Sequence, residues 1–278
     1  MTRPKNLDPS SNPRAFLGCE LRHARERAGL SQEALGAPLF VSGSFIGQLE
    51  AGTRRMHLEY ARHFDAVLAT DGFFTRNCEV VGKSKYPDHF AEAAEAEAVA
   101  TAIREYAPQL LPGLLQTRGY ARAVFRAYQP TATEDVIDEL VVARLDRAHL
   151  LDDPTTPLFW TILDEAVLRR RVGGAVVMAE ALRHVAALAR KCRLIVQVLP
   201  FEAGAHMSLG GTLKLMRFAD APPLAFVDGL GIGRLEDDPA IVARHELTYD
   251  LVGASALSPQ ESLALIESVA EDYAHEEH

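Results

Sequence analysis

The chain has 278 residues, 48% of them hydrophobic, which is long enough for two domains and too apolar for a mostly disordered polymer. Its 29 Lys and Arg against 38 Asp and Glu give a net charge of −9, yet residues 1–78 hold 10 basic against 8 acidic residues (+2), so the other 200 hold 19 against 30 (−11). Three widely spaced cysteines, Cys19, Cys78 and Cys192, suggest neither a disulfide framework nor a zinc site, and with no apolar run of the ~18 residues a bilayer demands they predict a cytoplasmic protein with no membrane partner.

Taken in order, the start MTRPKNLDPSSNPR is polar and proline-broken, predicting no signal peptide. A tail is the base-rate expectation, with a DNA-touching arm of Arg3, Lys5 and Arg14 as the alternative. Phe16 to Ala28 reads as a helix with Phe16, Leu17, Leu21 and Ala24 or Ala28 inward, ended by Gly29. In LSQEALGAPLFVSGSFIGQLEAGTRRM, Leu30 to Met56, Ser31 can cap a first short helix whose Leu35 and Leu39 share a face, and Ser42 can cap a second. Phe45, Ile46 and Leu49 make the buried seam of that second helix, leaving Gly43, Ser44, Gly47 and Gln48 outward. Short outward side chains allow close approach to a DNA groove, and the Gln48 amide can make paired hydrogen bonds to a base edge. Gly52 supplies a left-handed cap, and Thr53, Arg54 and Arg55 follow as donors suited to phosphate oxygens.

The string G-L-S-Q-E-A-L followed by V-S-x-S-x-I-x-Q-L-E-x-G resembles the Xre and phage-repressor family of DNA-binding heads. The resemblance implies that Gln32 grips a phosphate and that Gly43, Ser44 and Gln48 face bases. The predicted DNA-binding set is therefore Gln32, Ser42, Gly43, Ser44, Gln48, Thr53, Arg54 and Arg55. Two positions depart from the pattern: Pro38 replaces a helix former and Phe40 stands at the usual turn glycine, so the first helix should end early and the turn be built differently. A head at only +2 implies modest affinity for one copy, and pairing as a homodimer on a double-stranded operator is expected.

Beyond the head, His57 to Ala69 reads as a helix through Leu58, Ala61, Phe64, Ala66 and Leu68, completing an all-α domain of residues 1–78. Gly82, Lys83, Ser84, Lys85 and Pro87 predict a hinge at 79–87, before an α+β domain of residues 88–278. Asp88 to Ala98 reads as a spacer helix with Glu92, Glu95 and Glu97 solvated. A strand is expected from Val99 to Tyr106, then a helix over PGLLQTRGYARAVFRAY, and another from Glu134 to Leu151 with Val136, Ile137, Leu140 and Val141 among its inward residues. The core strands LFWTIL (Leu158 to Leu163) and LIVQVL (Leu194 to Leu199) flank a helical stretch broken at Gly173-Gly174, the plan of a parallel βαβ unit. Thr212 to Phe218 and Leu224 to Asp228 read as an antiparallel pair. Two helices finish the chain, Pro239 to Val252 behind Asp238 and Pro259 to Tyr273 behind a Ser258–Glu261 capping box. The fold class is α+β: a small helical head, then a mixed sheet with flanking helices.

Sharper chemistry is weak in residues 88–278. G-L-G-I-G at Gly229, Gly231 and Gly233 lacks the helix that a dinucleotide loop requires and reads as a turn between strands. His184, His206 and His245 lack metal-ligand spacing, Asp164 and Glu165 read as helix caps rather than an acid pair, and Trp160 reads as core. No catalytic residue, metal or cofactor is predicted. The strings LLPGLLQTRGYAR, LDEAVLRRRVGG, VQVLPFEAGAH and ALSPQESLALI resemble the domain of unknown function that follows Xre-type heads in actinobacterial, antitoxin-like regulators of development and antibiotic production. The resemblance implies a transcription regulator controlled by a small companion protein encoded nearby. The alternatives are a small-molecule sensor with its ligand site in the C-terminal domain and an enzyme carrying a DNA-binding head.

Overall fold

The computed structural model describes residues 13–78, 88–152, 157–229 and 232–276. Residues 1–12 of the predicted arm and the predicted hinge at 79–87 lie outside them. The described residues gather into two compact units, one within Met1–Ala100, Met216–Phe226 and Gly233–Arg244, the other within Thr101–Leu215, Val227–Ile232 and His245–His278.

The first unit opens with five helices: α1 (Pro13–Arg27), α2 (Gln32–Gly36), α3 (Gly43–Glu50), α4 (Leu58–Leu68) and α5 (Phe73–Cys78). Leu17, Leu21, Leu35, Phe45, Ile46, Leu49, Phe64 and Phe74 form one core among them. Phe16 is 40% exposed and meets the Phe73 ring at a tilt, and Ala66 faces outward, both against expectation, while of Ala24 and Ala28 it is Ala24 that turns inward. Helix α5 carries no periodic signal; its start is held by Asp65, whose carboxylate accepts the Phe74 and Thr75 N–H groups at 2.9 and 2.8 Å. Helix α6 (Asp88–Glu97) is not the solvated spacer its composition suggests. Ala91, Ala93, Ala94, Ala96 and Glu97 are buried, and Glu92 and Glu95 are half-buried, because a face of alanines allows close packing on both sides.

The rest of the chain adds β1 (Ala102–Ala107), α7 (Arg118–Tyr128), α8 (Glu134–Ala148), β2 (Leu158–Asp164), α9 (Glu165–Arg169), α10 (Ala175–Arg190), β3 (Ile195–Leu199), β4 (Thr212–Arg217), β5 (Leu224–Gly229), β6 (Ile232–Glu236), α11 (Pro239–Ala254) and α12 (Pro259–His275). Strand β1 starts at Ala102, so Val99 and Thr101 lie before it, and Gly113–Leu115 form a separate short turn of helix ahead of α7. Val136 is exposed on α8, whose inward face is Ile137 and Val141. The six strands make one mixed sheet in the order β3-β2-β1-β4-β5-β6. Strands β1, β2 and β3 are parallel, with Ile103 opposite Phe159 and Ile162 opposite Gln197. The connection from β4 to β5 is too short for a parallel crossover, so that pair is antiparallel. Gly173 and Gly174, at φ 76° and 93°, make the break between α9 and α10. The sequence pattern missed β6, although strands do stand on both sides of the Gly229 to Gly233 stretch.

Candidate nucleic-acid interface

The helix-turn-helix is built on two serine caps. Ser31 and Ser42 hold extended backbone conformations while their hydroxyls accept the Ala34 and Phe45 N–H groups at 3.0 and 3.1 Å. Helix α2 stops at Gly36, and Ala37–Leu39, with Pro38, tighten into a 3₁₀ turn. Phe40, 99% exposed, then takes at φ 56° the left-handed conformation that a turn glycine would take, so the turn is not built differently as expected. Gly52 at φ 66° closes α3.

The first turns of α2 and α3 lie side by side. A Cβ on Gly43 would stand 2.9 Å from Glu33 Cγ, and one on Gly47 would stand 3.3 Å from Gln32 Oε1. Smallness at Gly43 and Gly47 therefore serves the approach of α2 to α3, a packing reason that outward placement alone did not supply. Gln32, expected at a phosphate, donates instead from Nε2 to Glu50 Oε2 at 2.9 Å. Glu50 also binds Arg25 through two nitrogens, so Arg25, Gln32 and Glu50 tie α1, α2 and α3 together through a buried carboxylate. The sequence reading missed Arg25 and Glu50. Twenty-five residues separate them, and nothing in local spacing pairs them.

The remaining DNA-binding candidates split. Thr53, expected as a phosphate donor, is 5% exposed, and its hydroxyl and N–H both bond the Gln48 carbonyl at 3.1 Å, completing the end of α3. Gln48 is fully buried, and neither atom of its amide has a hydrogen-bond partner among the described residues. The Ser44 hydroxyl is likewise buried without a partner among them. The outward, groove-ready placement expected for Gln48 is thus not its position in this structure. Arg55 is half-exposed. Arg54 lies over the Phe45 ring at 4.4 Å and pairs with Asp237 at 3.2 Å and Glu92 at 3.4 Å. Glu92 also accepts from His57 Nε2 at 2.6 Å. Burial pushes the Glu92 carboxyl up, but the His57 hydrogen bond and the charges of Arg54 and Arg55 outweigh it and hold the group below its ordinary value.

Elsewhere, Asp164 caps α9 by accepting the Ala166 N–H at 2.9 Å, and Glu165 accepts from the Phe201 N–H at 3.2 Å. Tyr106 donates to Asp164 at 3.1 Å and lies 3.2 Å from His206 Nε2; burial first and then Asp164 raise its phenol far above the ordinary value. The half-buried Trp160 donates to Gln197 at 3.0 Å and borders Arg104 and Tyr249. No group of three or more His, Cys, Asp and Glu residues suited to a metal occurs among the described residues. No helix among them is long and apolar enough to cross a membrane.

Residues 17–72 match the family model described as a Helix-turn-helix domain, and residues 90–268 match the one described as Domain of unknown function (DUF5753). The chain belongs to the DUF5753 family. No curated protein and no solved structure matches it. Arg54 and Gln48 thus fall in the helix-turn-helix match, whereas Glu92 and Asp237 fall in the DUF5753 region.

Proposed function

We propose that the protein is a sequence-specific transcription regulator of the Xre type, acting in the cytoplasm as a homodimer on a double-stranded operator, with no catalytic activity and no cofactor. The observation that carries this reading is the capped α2–α3 pair followed directly by Arg54 and Arg55, within the helix-turn-helix match. The four C-terminal strings support a grouping with the actinobacterial antitoxin-like regulators, and from that grouping a small companion protein docking on residues 88–278.

The test is selection of duplexes from a random pool by the full chain, followed by salt-titrated binding to the selected site. Gln48→Ala should lose ~1–3 kcal/mol there and almost nothing on unrelated duplex, whereas Arg55→Ala should weaken both and flatten the salt slope by about one unit. Failure to enrich any sequence would sink the proposal. A second reading, small-molecule sensing, draws on His206, whose Nδ1 is buried beside Tyr106 and Asp164 with no partner among the described residues. A parent that shows no shift with metabolite extracts in thermal melts would remove that reading, and a His206→Phe variant that shifts as the parent does would remove His206 from it.

A further inference from the structure

Two facts about the DNA-reading helix remain unexplained by its proposed task. The first is the fate of Arg54. Its guanidinium, 14% exposed, is held from both sides by carboxylates outside the helix-turn-helix, Glu92 of α6 and Asp237 just after β6, with the Phe45 ring beneath it. Glu92 reaches His57 as well, so one carboxylate serves two side chains that follow α3. A guanidinium has a fixed fork of donors, and those directed at Asp237 and Glu92 are not free for phosphate oxygens. The second fact is the burial of Gln48. An amide buried with neither atom hydrogen-bonded among the described residues costs free energy, and Ser44 on the same helix repeats the pattern. Both residues lie where a groove-reading helix would meet bases. Groups of this kind call for an explanation, and a second conformation that pairs them supplies one.

We propose that this conformation is a closed, autoinhibited state, in which Glu92 and Asp237 stand in for DNA phosphates on Arg54 while the base-reading side of α3 is covered. Binding to DNA requires the two carboxylates to leave Arg54 and Gln48 to be uncovered. DNA and the carboxylates therefore compete for one guanidinium, and whatever draws Glu92 or Asp237 away raises DNA affinity without touching DNA. The latch rests on the DNA-binding reading proposed above.

The test uses the full chain carrying Glu92→Gln and Asp237→Asn together, with two readouts. The first is binding to a random-sequence duplex by fluorescence anisotropy. The latch variant should bind roughly five- to tenfold tighter than the parent, the scale two partly buried ion pairs can hold. A charge-matched control, Glu271→Gln with Asp272→Asn on the exposed face of α12, should change affinity less than about twofold. Adding Arg54→Ala to the latch variant should abolish its gain. The second readout needs no DNA: hydrogen exchange over Gly43–Glu50 should be faster in the latch variant than in the parent. An affinity gain equal to the control's, or one that survives without Arg54, overturns the latch by reducing it to net charge. Unchanged affinity with unchanged exchange overturns it outright. If no variant binds DNA at all, the DNA-binding reading fails by itself, and exchange alone decides closure: faster exchange supports it and equal exchange ends it.

Discussion

Glu50 shows what a single buried carboxylate can hold. Its side chain is 4% exposed and that of Arg25 is 11% exposed, so removing either partner strands a charge where water cannot reach it. Glu50→Ala should lower the stability of the helix-turn-helix by about 3 kcal/mol, read as a drop in the first urea midpoint of the full chain. An unchanged midpoint would mean that Arg25 escapes to solvent at no cost. Asp65 acts through protonation. Burial pushes its carboxyl up, but hydrogen bonds from Thr70, Thr75 and Phe74 outweigh this and leave it below the usual 3.8. Its contribution is then complete above the unfolded value near pH 4 and disappears as pH falls through the lower folded value. Asp65→Asn should therefore cost about 1 kcal/mol at neutral pH and converge on the parent in strong acid. Parallel stability curves across that range would rule out the charged cap. At this scale, caps were legible because donor and acceptor lie within four residues, as Ser31, Ser42 and the Ser258–Glu261 box show. The Asp65 cap was not, because its donors lie nine and ten residues away.

At the scale of elements, α1 crosses α3 at Gly18 with no room to spare. A Cβ there would stand 2.5 Å from the Glu50 carbonyl oxygen and 2.6 Å from that of Leu49, both backbone atoms at the end of α3. Gly18→Ala must shift one helix against the other and should cost about 2–3 kcal/mol in thermal or urea unfolding, despite the higher helix propensity of alanine. A stabilised variant would show that the crossing is looser than this. Strand β3, at the edge of the sheet, is protected differently. The fully buried Ser262 of α12 accepts the Val198 N–H at 2.9 Å, and the Leu257 N–H meets the Val198 carbonyl at 2.9 Å, so both edge groups of that residue are satisfied. Ser262→Ala leaves a buried N–H unpaired and should cost about 1–3 kcal/mol, with faster exchange at the Val198 amide. Equal exchange in the two proteins would assign that amide another protector. The parallel β2–β3 pair was readable from an apolar run, a helical stretch and a second apolar run. The position of β1 between β2 and β4 was not, since strand order depends on contacts far apart along the chain.

For the whole molecule, the charge division and the modest basicity of residues 1–78 set the expectation of pairing. Sedimentation of the full chain should give twice the monomer mass, and a monomer that protects a single half-site with full affinity would end the homodimer reading. The sequence by itself determined the helix-turn-helix, the early end of its first helix, the Gly173-Gly174 break and the α+β class, because each follows from caps, turns and periodicity acting over a few residues. Tertiary structure alone decided that Glu97 is buried, that Gln32 serves Glu50, that Gln48 is covered, and that Arg54 meets a carboxylate 183 residues away. The reason is physical: a side chain's residue type sets which partners it can satisfy, but only the path of the chain decides which of them arrives.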